Sequence, residues 1–404
     1  MCKALPNIVS VLLFASILTG CGNLGDQYDR AGYTSSVKGR AIPNNQLGAL
    51  PHNTDITNIW SIRPHKYQSY IQIDDKNKTP QTYTLYGDTI FVLDDNGVLS
   101  AYHLETNKLY WQKKFSFKKT ILSPYIKAVD GVVVIGVDNM VYGVDTTSGG
   151  IAWSRNLPDG INSHISARRG IALFQSDAYA SYAIDIKNGD ILWRHQARKN
   201  AVSYAHTASL HLRGDNAYVV YPLGDIYALD LKTGRVLWAK SLGMPIFAID
   251  ANISGSYTDE IVVVGENIYI GSGNGIVYAL NHKNGAALWS KTISSNVNMT
   301  AVGKVLYIVG KDSVVRAVSA NHGDVFWSVN LNEIVKRAET SILYTHFYKG
   351  KIILFTKMGE IIMLSIDTGV LIAIHNTIPV IAPPMNKVGK LILLDGNGNL
   401  KAYK

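Results

Sequence analysis

The sequence feature that most limits the possible folds of this chain is a pattern that recurs around tryptophan. In five copies a Gly stands four residues before the Trp, as Gly149 does before Trp153. The first copy has Asn107 at the Gly position, and a seventh has Gly369 but carries Ala373 in place of Trp. Six copies therefore share one Trp position, which is occupied by Trp111, Trp153, Trp193, Trp238, Trp289 and Trp327.

The spacing of these copies predicts a β-propeller. From position 111 to position 373 they lie 42, 40, 45, 51, 38 and 46 residues apart. A period of this length with several strands in each unit is typical of propeller blades. Within a copy, two short apolar strands, such as 261–264 and 268–271, precede an alternating strand, a polar turn and the Trp strand. No long amphipathic pattern with a period of 3.6 residues interrupts the copies, so we expect little helix.

A second regularity lies two residues before the turn. A small residue occupies this position in six copies, and Met363 replaces it in the seventh. The turn itself carries Asp and Gly in several copies, as at Asp145 and Gly149, where Asp can accept backbone hydrogen bonds and Gly can take a positive φ. The small residues are Ala101, Gly143, Ala183, Ala228, Ala279 and Ala317.

The two ends of the chain complete the predicted architecture. Trp60 lies on an apolar segment that no such turn precedes, and the C-terminal strands 391–394 and 400–403 have no Trp strand after them. Pairing these ends makes one more blade and covers the edges that an open sheet would expose. We therefore predict an all-β chain, an eight-bladed β-propeller of four-stranded antiparallel blades over residues 56–404, with about 44 residues per blade.

The tryptophans are predicted to have a structural role. A large ring on the outermost strand can pack against the neighbouring blade and hold the two together. The residues predicted to dock blades in this way are Trp60, Trp111, Trp153, Trp193, Trp238, Trp289 and Trp327.

The first twenty residues are predicted to be a targeting signal. Lys3 precedes an apolar stretch over 8–18, which is too short to span a bilayer as a helix. The sequence Leu-Thr-Gly-Cys ends at Cys21 and resembles the lipobox of bacterial lipoproteins, in which the cysteine is acylated. The alternative is an ordinary signal peptide that contains a cysteine. Residues 21–55 are polar and rich in Gly, Pro and Asn, so we interpret them as the lipidated cysteine and a flexible tether.

Composition narrows the class of protein. Hydrophobic residues make up 47% and charged residues 17%, which allows a large core and excludes a disordered chain. The net charge of +9 is spread along the chain, which is typical of a solvated basic surface or of a protein held near an anionic membrane rather than one that binds nucleic acid. Of the two cysteines, Cys2 falls within the signal, so no disulfide is expected.

The sequence contains no pattern that predicts catalysis or a metal site. The 11 histidines are scattered and show no zinc-binding spacing, and no nucleophile elbow is present. The repeats resemble those of the pyrroloquinoline-quinone (PQQ) family of eight-bladed propellers, some of which are periplasmic dehydrogenases. Those enzymes are usually longer, and many carry an adjacent cysteine pair that this chain lacks. We therefore predict no catalytic residues, no metal and no cofactor, and keep a PQQ-dependent dehydrogenase as an alternative.

The lipobox, the tether and eight such blades together resemble the BamB-type lipoproteins of Gram-negative bacteria. The resemblance implies a non-enzymatic scaffold on the periplasmic face of the outer membrane, within the machinery that assembles β-barrels. The implied partners are a BamA-like barrel subunit, bound through its periplasmic repeat domains, and nascent outer-membrane proteins. A different lipid-anchored propeller, serving secretion, pilus assembly or envelope sensing, is the other alternative.

The same resemblance places the partner contact on two loops in the middle of the chain. In that family the loops follow the fourth and fifth Trp positions, which here correspond to residues 197–206 and 245–260. The family's Leu-rich and acidic motifs are not matched residue by residue, so solvated loops without a partner remain the alternative. The candidate contact residues are Arg198, Val202, Tyr204, Asp250, Tyr257, Asp259 and Glu260.

Overall fold

The fold was established from a computed structural model. It describes residues 58–62, 82–94, 97–115, 125–196, 209–221, 224–242, 261–271, 275–293, 298–336, 340–377, 379–387, 389–396 and 399–403. These residues form one short helix, α1 (Leu331–Val335), and 32 strands. The strands are β1 (Asn58–Ile62), β2 (Thr82–Tyr86), β3 (Thr89–Leu93), β4 (Val98–His103), β5 (Leu109–Lys114), β6 (Tyr125–Val129), β7 (Val132–Val137), β8 (Met140–Asp145), β9 (Ile151–Asn156), β10 (Ser166–Arg168), β11 (Ile171–Gln175), β12 (Ala180–Asp185), β13 (Ile191–Gln196), β14 (Ser209–Arg213), β15 (Asn216–Val220), β16 (Asp225–Asp230), β17 (Val236–Ser241), β18 (Ile261–Val264), β19 (Asn267–Gly271), β20 (Ile276–Asn281), β21 (Ala287–Thr292), β22 (Asn298–Val302), β23 (Val305–Val309), β24 (Val314–Ser319), β25 (Val325–Asn330), β26 (Ile342–Tyr348), β27 (Lys351–Thr356), β28 (Glu360–Ser365), β29 (Leu371–Asn376), β30 (Met385–Lys387), β31 (Lys390–Leu394) and β32 (Leu400–Tyr403).

The strands form eight antiparallel sheets of four strands each, which confirms the predicted eight-bladed propeller. Blades 1 to 7 take consecutive strands, from β2–β5 in blade 1 to β26–β29 in blade 7. Blade 8 has the strand order β1-β32-β31-β30, so its outermost strand comes from the beginning of the chain. In the register of that blade, Trp60 lies opposite Ala402.

The core of the molecule lies between the blades. Eight clusters of buried apolar side chains each join two neighbouring blades, and one of them joins blade 8 to blade 1. At that junction, the Tyr83 hydroxyl lies 2.8 Å from the Pro383 carbonyl oxygen and 2.9 Å from that of Ile392. In blades 1 to 7 the first strands of neighbouring blades contact one another, so the first strand of each of these blades is the innermost. Because every blade packs on two others, the apolar faces of all eight sheets are covered.

Six tryptophans, from Trp111 in blade 1 to Trp327 in blade 6, pack on the next blade of the ring, whereas the predicted docking of Trp60 lies outside the described side chains. A small residue stands opposite each of the six in its own blade, as Ala183 does opposite Trp193, and leaves room for the ring. The indole then lies over the turn Gly of the next blade, where a Cβ built on Gly189 would come within 2.4 Å of Cε3 of Trp153. In five junctions the indole Nε1 also donates a hydrogen bond to a turn carbonyl of that blade. The pairs are Trp111 with Thr146 (3.0 Å), Trp153 with Ile186 (2.8 Å), Trp193 with Leu231 (2.8 Å), Trp238 with His282 (3.0 Å) and Trp289 with Ala320 (3.0 Å).

The polar turn before each Trp strand is shaped by its own side chains. In blade 2 the Asp145 carboxylate accepts hydrogen bonds from the backbone N–H groups of Thr147 and Ser148 and from the Ser148 hydroxyl. These hydrogen bonds hold the pKa of Asp145 below its usual value. Gly149 follows with φ +70°, a conformation that favours Gly, and the Trp111 indole of the preceding blade leaves no room for a side chain there.

The two faces of the ring are built differently. Since each blade has four antiparallel strands, the chain enters its innermost strand and leaves its outermost strand on the same side. We call this side the connecting face, because the strands that lead from one blade to the next end and begin there. The opposite side, which carries the polar turns that pack against tryptophan, is the turn face.

Candidate functional site

The candidate contact residues belong to two links that join strands ending at the connecting face. Residues 197–208 join blade 3 to blade 4 and include Arg198, Val202 and Tyr204. Residues 243–260 join blade 4 to blade 5 and include the four candidates Asp250, Tyr257, Asp259 and Glu260. All seven candidates lie outside the described residues, as does Cys21. The structure therefore describes the strand ends that these two links join, on either side of blade 4.

A row of polar and aromatic side chains joins blades 3 and 4 where the first link begins. Gln175, Ser181 and His195 lie side by side on β11, β12 and β13. The Tyr221 hydroxyl of blade 4 lies 2.8 Å from the Ser181 Oγ and 2.8 Å from the His195 Nδ1. Tyr227 of blade 4 packs on the imidazole of His195, with ring centroids 4.5 Å apart. We call these five residues the blade 3–4 row.

The blade 3–4 row departs from the repeat. At the same register, blade 4 has Val220, Ile226 and Lys240, and blade 5 has a comparable set ending in Lys291. Two buried positions that are apolar in those blades are therefore polar in blade 3. The third position holds His195 in place of the cation, and blades 6 and 7 also lack a cation there, with Val329 and His375. Burying polar groups costs free energy unless they are hydrogen-bonded, so a departure at one junction indicates a specific role there.

Burial keeps the row uncharged near neutral pH. It lowers the pKa of His195 below the ordinary histidine value and raises the pKa of Tyr221. A neutral imidazole can accept the Tyr221 hydroxyl hydrogen at Nδ1, so the chain of hydrogen bonds from Ser181 to His195 holds without a charge. The side-chain oxygen of Gln175 and the hydroxyl of Ser209 are buried with no hydrogen-bond partner in the described structure.

The other side of strand β13 is fixed by a second set of contacts. The Arg194 Nε donates to the Tyr182 hydroxyl at 2.8 Å, and that hydroxyl donates to the Asp159 carboxylate at 2.6 Å. The Arg194 guanidinium also forms an ion pair with Asp159 at 3.3 Å. Gln196, the last residue of the strand, donates to the Ala178 carbonyl oxygen at 2.7 Å. The chain is thus held on both sides at the point where the 197–208 link leaves the blade.

The described residues offer no centre for metal chemistry. No group of three or more His, Cys, Asp or Glu side chains is placed to hold a metal ion in the part of the chain that the structure describes. Within the same residues, no helix has the length and apolar character needed to cross a bilayer.

Sequence reasoning identified the links but missed the row beneath them. His195, Tyr221 and Tyr227 belong to no recognised motif, and a single histidine two residues after Trp193 does not by itself predict a site. The available signal was the repeat, since the position two residues after Trp is Lys or Arg at Lys113, Arg155, Lys240 and Lys291.

Comparison with known proteins gives one family. A model of the family described as outer membrane protein assembly factor BamB matches residues 57–156, 118–248 and 248–379. The chain is similar to the uncharacterized protein RP232 of Rickettsia prowazekii (strain Madrid E), with 25% identity over 294 residues that cover 70% of this chain and 68% of that protein. It is also similar to outer membrane protein assembly factor BamB of Yersinia pestis, with 25% identity over 258 residues, covering 60% and 61% of the two chains.

Solved structures share the architecture at lower identity. BamB from Moraxella catarrhalis superposes with a TM-score of 0.68 and 17% identity, covering 86% of this chain and 99% of that chain. The quinohemoprotein alcohol dehydrogenase from Comamonas testosteroni superposes with a TM-score of 0.62 and 13% identity, covering 86% and 76%. At these identities the superpositions establish the propeller fold and nothing about chemistry.

Proposed function

Because the chain belongs to the family of outer membrane protein assembly factor BamB, we propose that it is a non-enzymatic scaffold in the machinery that assembles outer-membrane β-barrel proteins. Its proposed partner is a BamA-like barrel subunit, bound through periplasmic repeat domains, with nascent outer-membrane proteins as further contacts. The proposed location is the periplasmic face of the outer membrane, where lipid on Cys21 and the tether over 21–55 would anchor the propeller body over 56–404.

The observation that carries this proposal is the blade 3–4 row. A binding surface gains affinity when it is ordered before the partner arrives, because less conformational entropy is lost on association. The row and the Arg194–Tyr182–Asp159 contacts hold the start of the 197–208 link on a closed ring. Tyr and Arg are also the residue types that most often dominate interface energies, and Arg198 and Tyr204 lie on this link.

The proposal is tested by affinity capture from detergent-solubilised envelope, with partners identified by mass. We expect the full chain to capture an outer-membrane barrel protein that carries periplasmic repeat domains. Changing Tyr204→Ala together with Asp259→Ala should reduce capture at least about tenfold, the effect of losing hot-spot residues. Circular dichroism and the melting temperature should stay as in the unchanged protein.

The matched control alters blade 4 on the turn face. Leu237→Ala with Asp215→Ala removes one exposed apolar and one exposed acidic side chain from the opposite side of the ring. Capture by this variant should equal that of the unchanged chain. Equal capture by the two double variants would refute the placement of the contact. Reduction of a dye by the purified protein in the presence of PQQ would favour a PQQ-dependent dehydrogenase instead.

A further inference from the structure

A groove opens at the outer rim between blades 1 and 2, away from the proposed partner contact. Its volume is about 290 Å³. Two lysines, two aromatic residues and two glycines form most of its lining: Lys113, Lys114, Phe115, Tyr142, Gly149 and Gly150, with Ile151 at one end.

Three other junctions show what a cation at this position contacts. A cation two residues after the Trp position reaches the turn Gly of the next blade or the residue that follows it. Arg155 pairs with Asp190 at 2.7 Å between blades 2 and 3, and Lys291 pairs with Asp324 at 3.5 Å between blades 5 and 6. Between blades 4 and 5, where Ala286 follows the turn Gly, the Lys240 Nζ instead donates to the Gly285 carbonyl oxygen at 3.4 Å. At each of these junctions the cation has a partner in the next blade.

At the junction of blades 1 and 2 the cation is retained and the carboxylate is missing. The stem of Lys113 runs over Gly149 as that of Lys291 runs over Gly323, since the Cγ atoms lie 2.9 and 2.8 Å from a Cβ built on each glycine. The residue after Gly149 is Gly150, which has no side chain to supply the negative charge. Lys113 forms no ion pair among the residues that the structure describes.

The surroundings add a second cation and one exposed apolar side chain. Lys114 is a cation at a position where blades 2 to 4 have Asn156, Gln196 and Ser241. Ile151 of β9, which is 55% exposed, lies at one end of the groove. Strand β5 is the outermost strand of blade 1, so its outer edge is available for main-chain hydrogen bonds.

We propose that this groove binds an acidic side chain of an extended polypeptide segment. The carboxylate of the segment takes the place that Asp190 and Asp324 hold at their own junctions, next to Lys113. A flanking apolar side chain of the segment packs on Ile151, and the backbone of the segment lies along β5. Ile151 and the strand edge favour a peptide over a phosphate group, which would use the charge alone.

The test measures binding of two labelled peptides to the full chain in detergent by fluorescence polarisation. The peptides are acetyl-Val-Thr-Glu-Thr-Val-amide and its counterpart with Gln in place of Glu. We expect the Glu peptide to bind about three- to fivefold more tightly at low salt, the size of an exposed ion pair, with the difference lost at high salt. Lys113→Met should remove most of that difference.

A second variant closes the groove from within. Gly150→Asp restores the carboxylate of the repeat, and the substitution is sterically open because a Cβ at Gly150 meets only the Ser148 Oγ, at 3.4 Å. It should abolish the preference for Glu while leaving the melting temperature unchanged or higher. Ala286→Asp makes the same charge change at the equivalent position of blade 5 and should leave peptide binding unaltered.

Three outcomes would overturn the proposal. The first is equal binding of the two peptides, and the second is a preference for Glu that survives in Gly150→Asp. The third uses inorganic phosphate and vesicles containing phosphatidylglycerol as probes. If these bind and lose binding in Gly150→Asp while the peptides do not discriminate, the groove recognises a phosphate. Capture of the barrel subunit is independent of all three.

Discussion

At the scale of single residues, the ring is held by one contact that recurs between blades. The indole of one blade lies over the turn Gly of the next and donates to a carbonyl of the same turn, as Trp193 does to Leu231. The sequence predicted that the rings dock on a neighbouring blade. It did not identify their target, because the Gly before a given Trp belongs to the same strand pair in the sequence but receives the Trp of the previous blade.

Among the six junctions with a described indole, the one between blades 6 and 7 lacks the hydrogen bond and provides a comparison. The Trp327 indole Nε1 is buried without a partner, and the Tyr307 hydroxyl lies 3.1 Å from the equivalent carbonyl of Ile366. Replacing Trp193 by Phe should therefore cost about 1–2 kcal/mol more stability than replacing Trp327 by Phe, because only the first loses a hydrogen bond. Chemical denaturation of the two variants measures the difference, and equal losses would contradict the role of the indole N–H.

At the scale of elements, two exceptions in the repeat have a single explanation in blade 7. Met363 and Ala373, which looked like separate departures in the sequence, stand opposite each other on β28 and β29. A large residue has moved from the outer strand to its neighbour. The reason lies in blade 8, whose strands β32 and β1 are not joined by a turn, so it offers no turn Gly for a tryptophan of blade 7.

This exchange predicts coupling between the two positions. Ala373→Trp should destabilise the protein by about 1–3 kcal/mol, because the new ring meets Met363 with no glycine to pack on. Met363→Ala should cost about 2–4 kcal/mol for the cavity that it leaves. The double variant should lose at least about 1 kcal/mol less than the sum of the two, measured by a double-mutant cycle in denaturant. Additive losses would show that the two sites are independent.

At the scale of the whole molecule, the fold could be predicted and the site only in part. The eight blades could be predicted because each copy of the repeat has the same pattern of strands, turn and Trp position. Strand pairs such as β18 and β19 lie close to their predicted positions. The blade 3–4 row and the groove at Gly150 could not be predicted, since each arises from a departure at one junction. Their meaning depends on which side chains of the neighbouring blade they face.

The join between the chain ends predicts different effects of shortening each end. A chain ending at residue 399 loses β32, which pairs with both β31 and β1 and buries Leu400 and Ala402. We expect its melting temperature to fall by about 10 °C and association between molecules to increase, as unpaired strands are exposed. A chain without residues 1–57 keeps all the strands that the structure describes and should melt as the full chain does. Scanning calorimetry and size-exclusion chromatography distinguish the two, and an unaltered monomer without β32 would contradict this account.

The even number of strands in each blade has an evolutionary consequence. Since every blade begins and ends on the same side, inserted residues can accumulate there without disturbing the packing of tryptophan on the turns of the opposite side. One surface is then free to diversify as partners change, while the other is conserved by the mechanics of the ring itself. Related chains should therefore vary in the length and sequence of their links on one side and keep the Gly and Trp positions on the other.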